Sequence, residues 1–133
     1  MTFRHDSITL NLNLIPGGVF PGAWRAGDGD AQQYSSLEHY IEVAKIAERG
    51  KFDAVFLADT PVWRYRGEYR PFRGLDPTLA FAAVAQHTSH IGLVATGSSS
   101  YNSAYNLARR ISTLDHISKG RAAWNIVATN GDD

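Results

Sequence analysis

Residues 51–59, KFDAVFLAD, constrain this chain more than any other stretch: an apolar run over residues 52–58 ends on a single carboxylate, Asp59. Bounded by Gly50 and Pro61, a run of this length has the pattern of a strand covered on both faces, and such strands belong to parallel sheets. Ligands of open α/β sheets and of barrels sit at the carboxyl ends of the strands. Asp59 is therefore a candidate ligand contact.

The surrounding sequence supplies the rest of a βα repeat. Residues 7–14, SITLNLNL, alternate polar and apolar side chains, the pattern of a strand stopped by Pro16-Gly17-Gly18. A long glycine-rich connection containing Trp24-Arg25 follows, and loops of that length inside a domain are more often functional than idle. Ser35 and Glu38 have the spacing of a capping box ahead of Leu37, Tyr40, Ile41, Ala44 and Ala47, which share one helical face. Gly50 is placed as the C-cap. After Asp59 a second long loop, rich in Pro, Gly and Arg, leads to Asp76-Pro77, an N-cap followed by proline at the first helical position. The helix is expected to run to residue 87.

Residues 91–96, IGLVAT, are a further buried-strand run ending in Gly97-Ser98-Ser99-Ser100. Asn102 or Ser103 is expected to cap a helix whose apolar side holds Leu107, Ile111, Leu114 and Ile117, with Lys119-Gly120 as its end. Residues 121–127, RAAWNIV, complete the series as a strand. Four strands alternating with three helices predict right-handed crossovers and a parallel sheet. Elaboration lies after the strands while the helix-to-strand turns are short, as in enzymes whose sites sit at strand carboxyl ends. A (β/α)8 barrel needs about 250 residues, so the 133 residues here correspond to its N-terminal half, one partial domain over residues 1–133. A self-contained doubly wound sheet is the competing architecture. Strand order separates the two.

Composition narrows the partners. The 13 Lys and Arg balance the 13 Asp and Glu, leaving no net field to draw nucleic acid or an acidic membrane. The chain has no cysteine, which removes disulfides, thiolate nucleophiles and thiolate metal sites and fits a cytoplasmic protein. Its N-terminus lacks the apolar core of an export signal. His87 and His90 share a helical spacing, but a helix C-terminus favours cationic side chains anyway, so no metal is expected. In residues 63–73, Trp63, Tyr65, Tyr69 and Phe72 interleave with Arg64, Arg66, Arg70 and Arg73. Such pairs can stack on bases, but Glu68 interrupts the run, so a lid or subunit contact is preferred over a nucleic-acid groove, with a solvated loop holding internal cation–π pairs as an equal alternative to the lid.

The strand ends together carry Asp59, the hydroxyl-rich residues 96–100, and Asn125 with Thr129. One carboxylate, several hydroxyls and backbone donors near a helix N-terminus suit a phosphorylated cofactor with a hydrogen-bonding ring. The same residue types also serve as turn and cap residues. No G-x-G-x-x-G or Walker pattern follows a strand, so neither a Rossmann nor a P-loop site has support.

Trp24-Arg25, AERGKFDAVFLAD at 47–59, IGLVATGSSSYNSAYNLARR at 91–110 and LDHISKGRAAWNIV at 114–127 together resemble the N-terminal part of the bacterial-luciferase-like flavin monooxygenases. The branch with nitrilotriacetate and dibenzothiophene-sulfone monooxygenases is the nearest in pattern. The resemblance implies a TIM barrel that binds FMN as FMNH2 delivered by a separate flavin reductase, with O2 as oxidant and a small organic substrate. By position it implies that Asp59, Ser98 and Asn125 contact the flavin; it assigns no catalytic acid or base. Where the family usually reads TASTTY this chain reads TGSSSY, and where it reads VTS the chain has Val127-Ala128-Thr129. A histidine common in the family's first loop is replaced here by Val19-Phe20. A half barrel leaves two sheet edges and one face uncovered, so a homo-oligomer is expected, together with weak flavin binding and no turnover by the chain alone. A non-catalytic half barrel acting as an interaction module is the alternative.

Overall fold

A computed structural model describes residues 8–20, 22–26, 30–59 and 74–129. Within them four strands, β1 (Asn11–Asn13), β2 (Ala54–Leu57), β3 (Gly92–Ser98) and β4 (Ala122–Val127), alternate with α1 (Leu37–Arg49), α2 (Pro77–Val84) and α3 (Ala104–Ser118). All neighbouring pairs are parallel and the spatial order is β1-β2-β3-β4. A doubly wound sheet reverses direction at its switch point, whereas a barrel adds strands in sequence. The sequential order is that of a barrel segment.

Alternation along the strands divides the sheet into two chemically different faces. Leu12, Val55, Leu93 and Ala122 lie in register across one face, and Val55 and Leu93 are fully buried there beside Tyr40, Ala44, Phe81, Val84 and Leu114. This is the helix-covered core. Burying a side chain of this size contributes about 1.5–3 kcal/mol, and the residues of this row contribute accordingly. On the opposite face Asn13, Phe56, Val94 and Ala123 form the matching row. Among the described residues no helix covers it, so the two-sided burial expected of the 52–58 run is found on one side only, where Val55 and Leu57 are buried and Ala54 and Phe56 are not.

Local chemistry sets the helix boundaries. In α1, Tyr40, Ala44 and Ala47 recur at the spacing of one face and are buried. Its N-cap is Ser36, whose hydroxyl accepts the His39 N–H at 3.2 Å. The expected cap, Ser35, instead closes a short 3-10 turn over Ala31–Tyr34. That turn is itself capped by Asp30, which fixes its phase and so moves the start of α1 by one residue. Gly50 closes the helix as expected, but the left-handed residue is Lys51, with φ at 63°. In α2, Asp76 accepts from the amides of Thr78 and Leu79, and Pro77 occupies the first turn. Regular helix ends at Val84, short of residue 87.

Ser103 caps α3, and Leu107 and Leu114 are its buried ridge, whereas Ile117 is partly exposed. Lys119 and Gly120 both take positive φ and end the helix. The first strand is shorter than the sequence pattern implies, because Ile8 is solvent-exposed and pairing with β2 starts at Asn11. Residues 63–73 lie outside the described residues.

Candidate functional site

The polar residues of the sheet gather at the carboxyl ends of β3 and β4, on the face without helices. Alternation puts Thr96 and Ser98 of β3 on that face, and register places Thr96 beside Asn125 and Ser98 beside Val127. Asn125 Nδ2 donates to Thr96 Oγ1 at 3.1 Å. Thr129 Oγ1 donates to Ser98 Oγ at 2.7 Å. Ser99 binds the carbonyl of Val127 through both its N–H, at 2.9 Å, and its hydroxyl. The two strand ends are thus joined by side-chain as well as main-chain bonds. Thr96 and Ser98 are each only 4% exposed; at that depth their oxygens depend on protein partners.

The pairs fix hydrogen-bond polarity. Ser98 Oγ accepts from Thr129 and, at 3.2 and 3.4 Å, from the amides of Ser100 and Tyr101. A hydroxyl has one proton and two lone pairs, so Thr129 and the two amides saturate Ser98 Oγ as an acceptor. Asn125 spends one N–H on Thr96 and keeps its carbonyl oxygen as an acceptor. Paired hydroxyls and an amide oxygen therefore border the apolar row of Phe56, Val94 and Ala123. That combination suits a flat ring with a polar edge.

Further bonds support this edge from the helix side. Asn102 Nδ2 donates to the Ser98 carbonyl at 2.8 Å, and Arg110 donates to Asn102 Oδ1. The other arm of Arg110 reaches Asp76 Oδ2 at 3.4 Å. Trp124 Nε1 donates to the Gly97 carbonyl at 3.1 Å. A methyl group on Gly97 would lie 2.8 Å from Leu107 Cδ1 and 2.9 Å from Trp124 Nε1. Glycine is what allows α3 and β4 to approach β3 this closely.

Of the three residues singled out from sequence, Ser98 and Asn125 stand on adjacent strands of one face, two residues apart in register. Asp59 follows β2 at the next strand end and is partly buried. Sequence reasoning did not find the Arg110–Asn102–Ser98 connection. The only signal in the sequence is the proximity of Asn102 to a strand end, where the same residue fits a helix cap. Among the described residues no cluster of three or more His, Asp or Glu could hold a metal ion, and no described helix is long and apolar enough to cross a membrane.

Comparison with known proteins gives four concordant likenesses. Residues 17–133 match the family model described as luciferase-like monooxygenase. Nitrilotriacetate monooxygenase component A of Aminobacter aminovorans is 38% identical over 135 residues, a match covering 90% of this chain and 30% of that protein. The solved structure of an EDTA monooxygenase from Chelativorans sp. BNC1 superposes with a TM-score of 0.85 at 38% identity, covering 92% of this chain and 30% of that one. A riboflavin lyase solved with modified FMN and riboflavin superposes at 0.78 with 33% identity, covering 93% and 30%. The chain spans about 30% of the length of the curated relatives that match nearly all of it.

Proposed function

This chain belongs to the luciferase-like monooxygenase family, and from that premise we propose that it forms one wall of an FMN site in a two-component monooxygenase. The reading takes reduced FMN from a separate flavin reductase, O2 as oxidant and a small organic molecule as substrate, in the cytoplasm. Support for FMN comes from the riboflavin lyase neighbour, and support for a separate reductase from the designation "component A" of the Aminobacter relative.

The carrying observation is the polar edge of β3 and β4: the paired hydroxyls of Ser98 and Thr129, the Asn125 amide and the apolar row beneath them. These residues fit an isoalloxazine ring, which is flat, largely apolar in its body and lined with donors and acceptors on one side. Ser98 and Asn125 would hold that side, with Asp59 at the neighbouring strand end. Bound reduced flavin supplies the electrons that activate O2. The protein's own part is to orient the ring through fixed hydrogen bonds and to keep water from the reacting face. A fixed dipole is more useful here than a mobile one, because it costs no reorganisation when the ligand arrives.

The chain by itself offers one side of such a pocket, so it is expected to bind FMN weakly and to show no turnover. Titrating FMN by fluorescence and coupling the chain to a flavin reductase with O2 tests this. Micromolar affinity together with turnover would overturn the expectation, and a complete absence of FMN affinity would remove the cofactor assignment.

A second reading has its own observation. Trp124 and Ile126 on the edge strand β4 are 37% and 63% exposed, and an uncovered parallel edge with apolar side chains favours pairing. On this reading the chain is a self-associating interaction module. Light scattering that finds a stable oligomer without flavin affinity would favour it over the enzyme component.

A further inference from the structure

We propose that Arg110 is a positioning residue for the ligand face, fixing Ser98 through Asn102 without touching the ligand. The inference rests on the FMN reading for its functional consequence, but the structural link stands on its own geometry. Arg110 lies on α3, behind the sheet, and donates to Asn102 Oδ1. Asn102 Nδ2 in turn donates to the Ser98 carbonyl at 2.8 Å. A guanidinium has donors only, so the atom that Asn102 turns toward Arg110 must be its oxygen, and the amide nitrogen is then forced toward Ser98. Without Arg110 the Asn102 amide loses the partner that sets its orientation.

Both ends of Ser98 depend on this turn. Its carbonyl is held by Asn102, and its hydroxyl receives the Ser100 and Tyr101 amides at 3.2 and 3.4 Å. The orientation of the Ser98 hydroxyl, and with it the bond to Thr129, holds only while those bonds persist. Arg110 itself is anchored at its far arm by Asp76, the N-cap of α2. Its Nε is buried with no partner among the described residues, so the two terminal nitrogens carry the whole arrangement. The planar fork matters, because it gives Asp76 and Asn102 a separate nitrogen each, Nη1 and Nη2, where a lysine has one.

The test uses the 133-residue chain and the variants Arg110→Met, Arg110→Lys, Asn102→Asp and the double variant Arg110→Met with Asn102→Asp. FMN dissociation constants should rise about tenfold in Arg110→Met and in Asn102→Asp, the scale of one positioned hydrogen bond to a charged group. The double variant should be no worse than either single one. Arg110→Lys should recover only part of the loss. In the unliganded chain, amide exchange at Ser100 and Tyr101 should quicken in Arg110→Met, with Leu93 in the core unchanged. Unchanged exchange at Ser100 and Tyr101 would overturn the proposal, and so would faster exchange throughout the sheet, which marks a general loss of stability. Additive losses in the double variant would overturn the route through Asn102. A wild-type chain with no FMN affinity would count against the cofactor reading alone, and the exchange measurements would then decide the Arg110 link.

Discussion

Glu48 and Arg121 grip Ile91 from opposite sides: Glu48 Oε1 accepts the Ile91 N–H at 3.0 Å, and Arg121 donates to the Ile91 carbonyl at 2.9 Å. Glu48 also takes the amides of Ser89 and His90, and Arg121 also binds the carbonyls of Ala85, Thr88 and Ser118. One side chain from the end of α1 and one from the start of β4 thereby set the point where β3 begins. The phase of β3 decides which of its residues face the open side. Burial raises the pKa of Glu48, but the three backbone hydrogen bonds and the nearby His90 outweigh it, and the net displacement is downward.

A carboxyl group whose pKa is lower folded than unfolded stabilises the fold above its unfolded value, and that stability disappears as pH falls through the folded value. For Glu48 the loss begins near the ordinary glutamate value of 4.5 and continues below it. Glu48→Gln, which keeps an acceptor but no charge, should lower the melting temperature at pH 7 and flatten the acid limb below pH 4.5. Glu48→Ala, which leaves three amides to water, should cost about 1–2 kcal/mol at neutral pH. Urea melts across pH 3–7 measure both, and an acid limb in Glu48→Gln as steep as in the wild type would refute the assignment.

Gly97→Ala tests the close approach of α3 and β4 to β3. The added methyl would crowd Leu107 and Trp124 at under 3 Å, and relieving such overpacking costs about 1–3 kcal/mol. The lower end is expected, because the crowded atoms are side-chain ends. Trp124 should also lose its bond to the Gly97 carbonyl, giving a shift in tryptophan emission. A variant with wild-type stability and emission would show that the contact is slack.

Thr96→Val keeps the shape and strand preference of residue 96 but removes the oxygen that receives Asn125 Nδ2 at 3.1 Å. Asn125 is then free to turn its amide. FMN affinity should fall about tenfold, while the melting temperature should move by only a few degrees, since the side chain lies at a strand end rather than in the helix-covered core. Fluorescence titration beside calorimetry separates the two effects. Equal FMN affinity in variant and wild type would take Thr96 and Asn125 out of the site.

The parts of the fold written over short distances were legible in the sequence. Asp76-Pro77 and the pair Asn102-Ser103 announce their helices because a cap acts within three residues, and the runs at 52–58 and 91–96 announce strands by apolar content. The position of Ser36 as cap was not legible, because two adjacent serines offer the same chemistry and a 3-10 turn upstream chooses between them. Glu48 and Arg121 were also invisible as fold determinants. The main-chain atoms of Ile91 that they hold lie 43 and 30 residues away in sequence, and a backbone group has no letter of its own.

The site divides along the same line. Ser98 and Asn125 could be chosen because strand ends are readable and few residues occupy them. The pairing of Thr96 with Asn125, and of Ser98 with Thr129, follows from register across β3 and β4. Register depends on how two strands meet in space. It leaves little mark on either one alone.

Strand order in this sheet is the order of the chain. As the polypeptide leaves the ribosome, β2 finds β1 already present, β3 finds β2, and β4 finds β3. From β2 onward each strand meets a neighbour that is already made, so each βα step can be laid on an existing edge. The topology can be built in the direction in which it is translated.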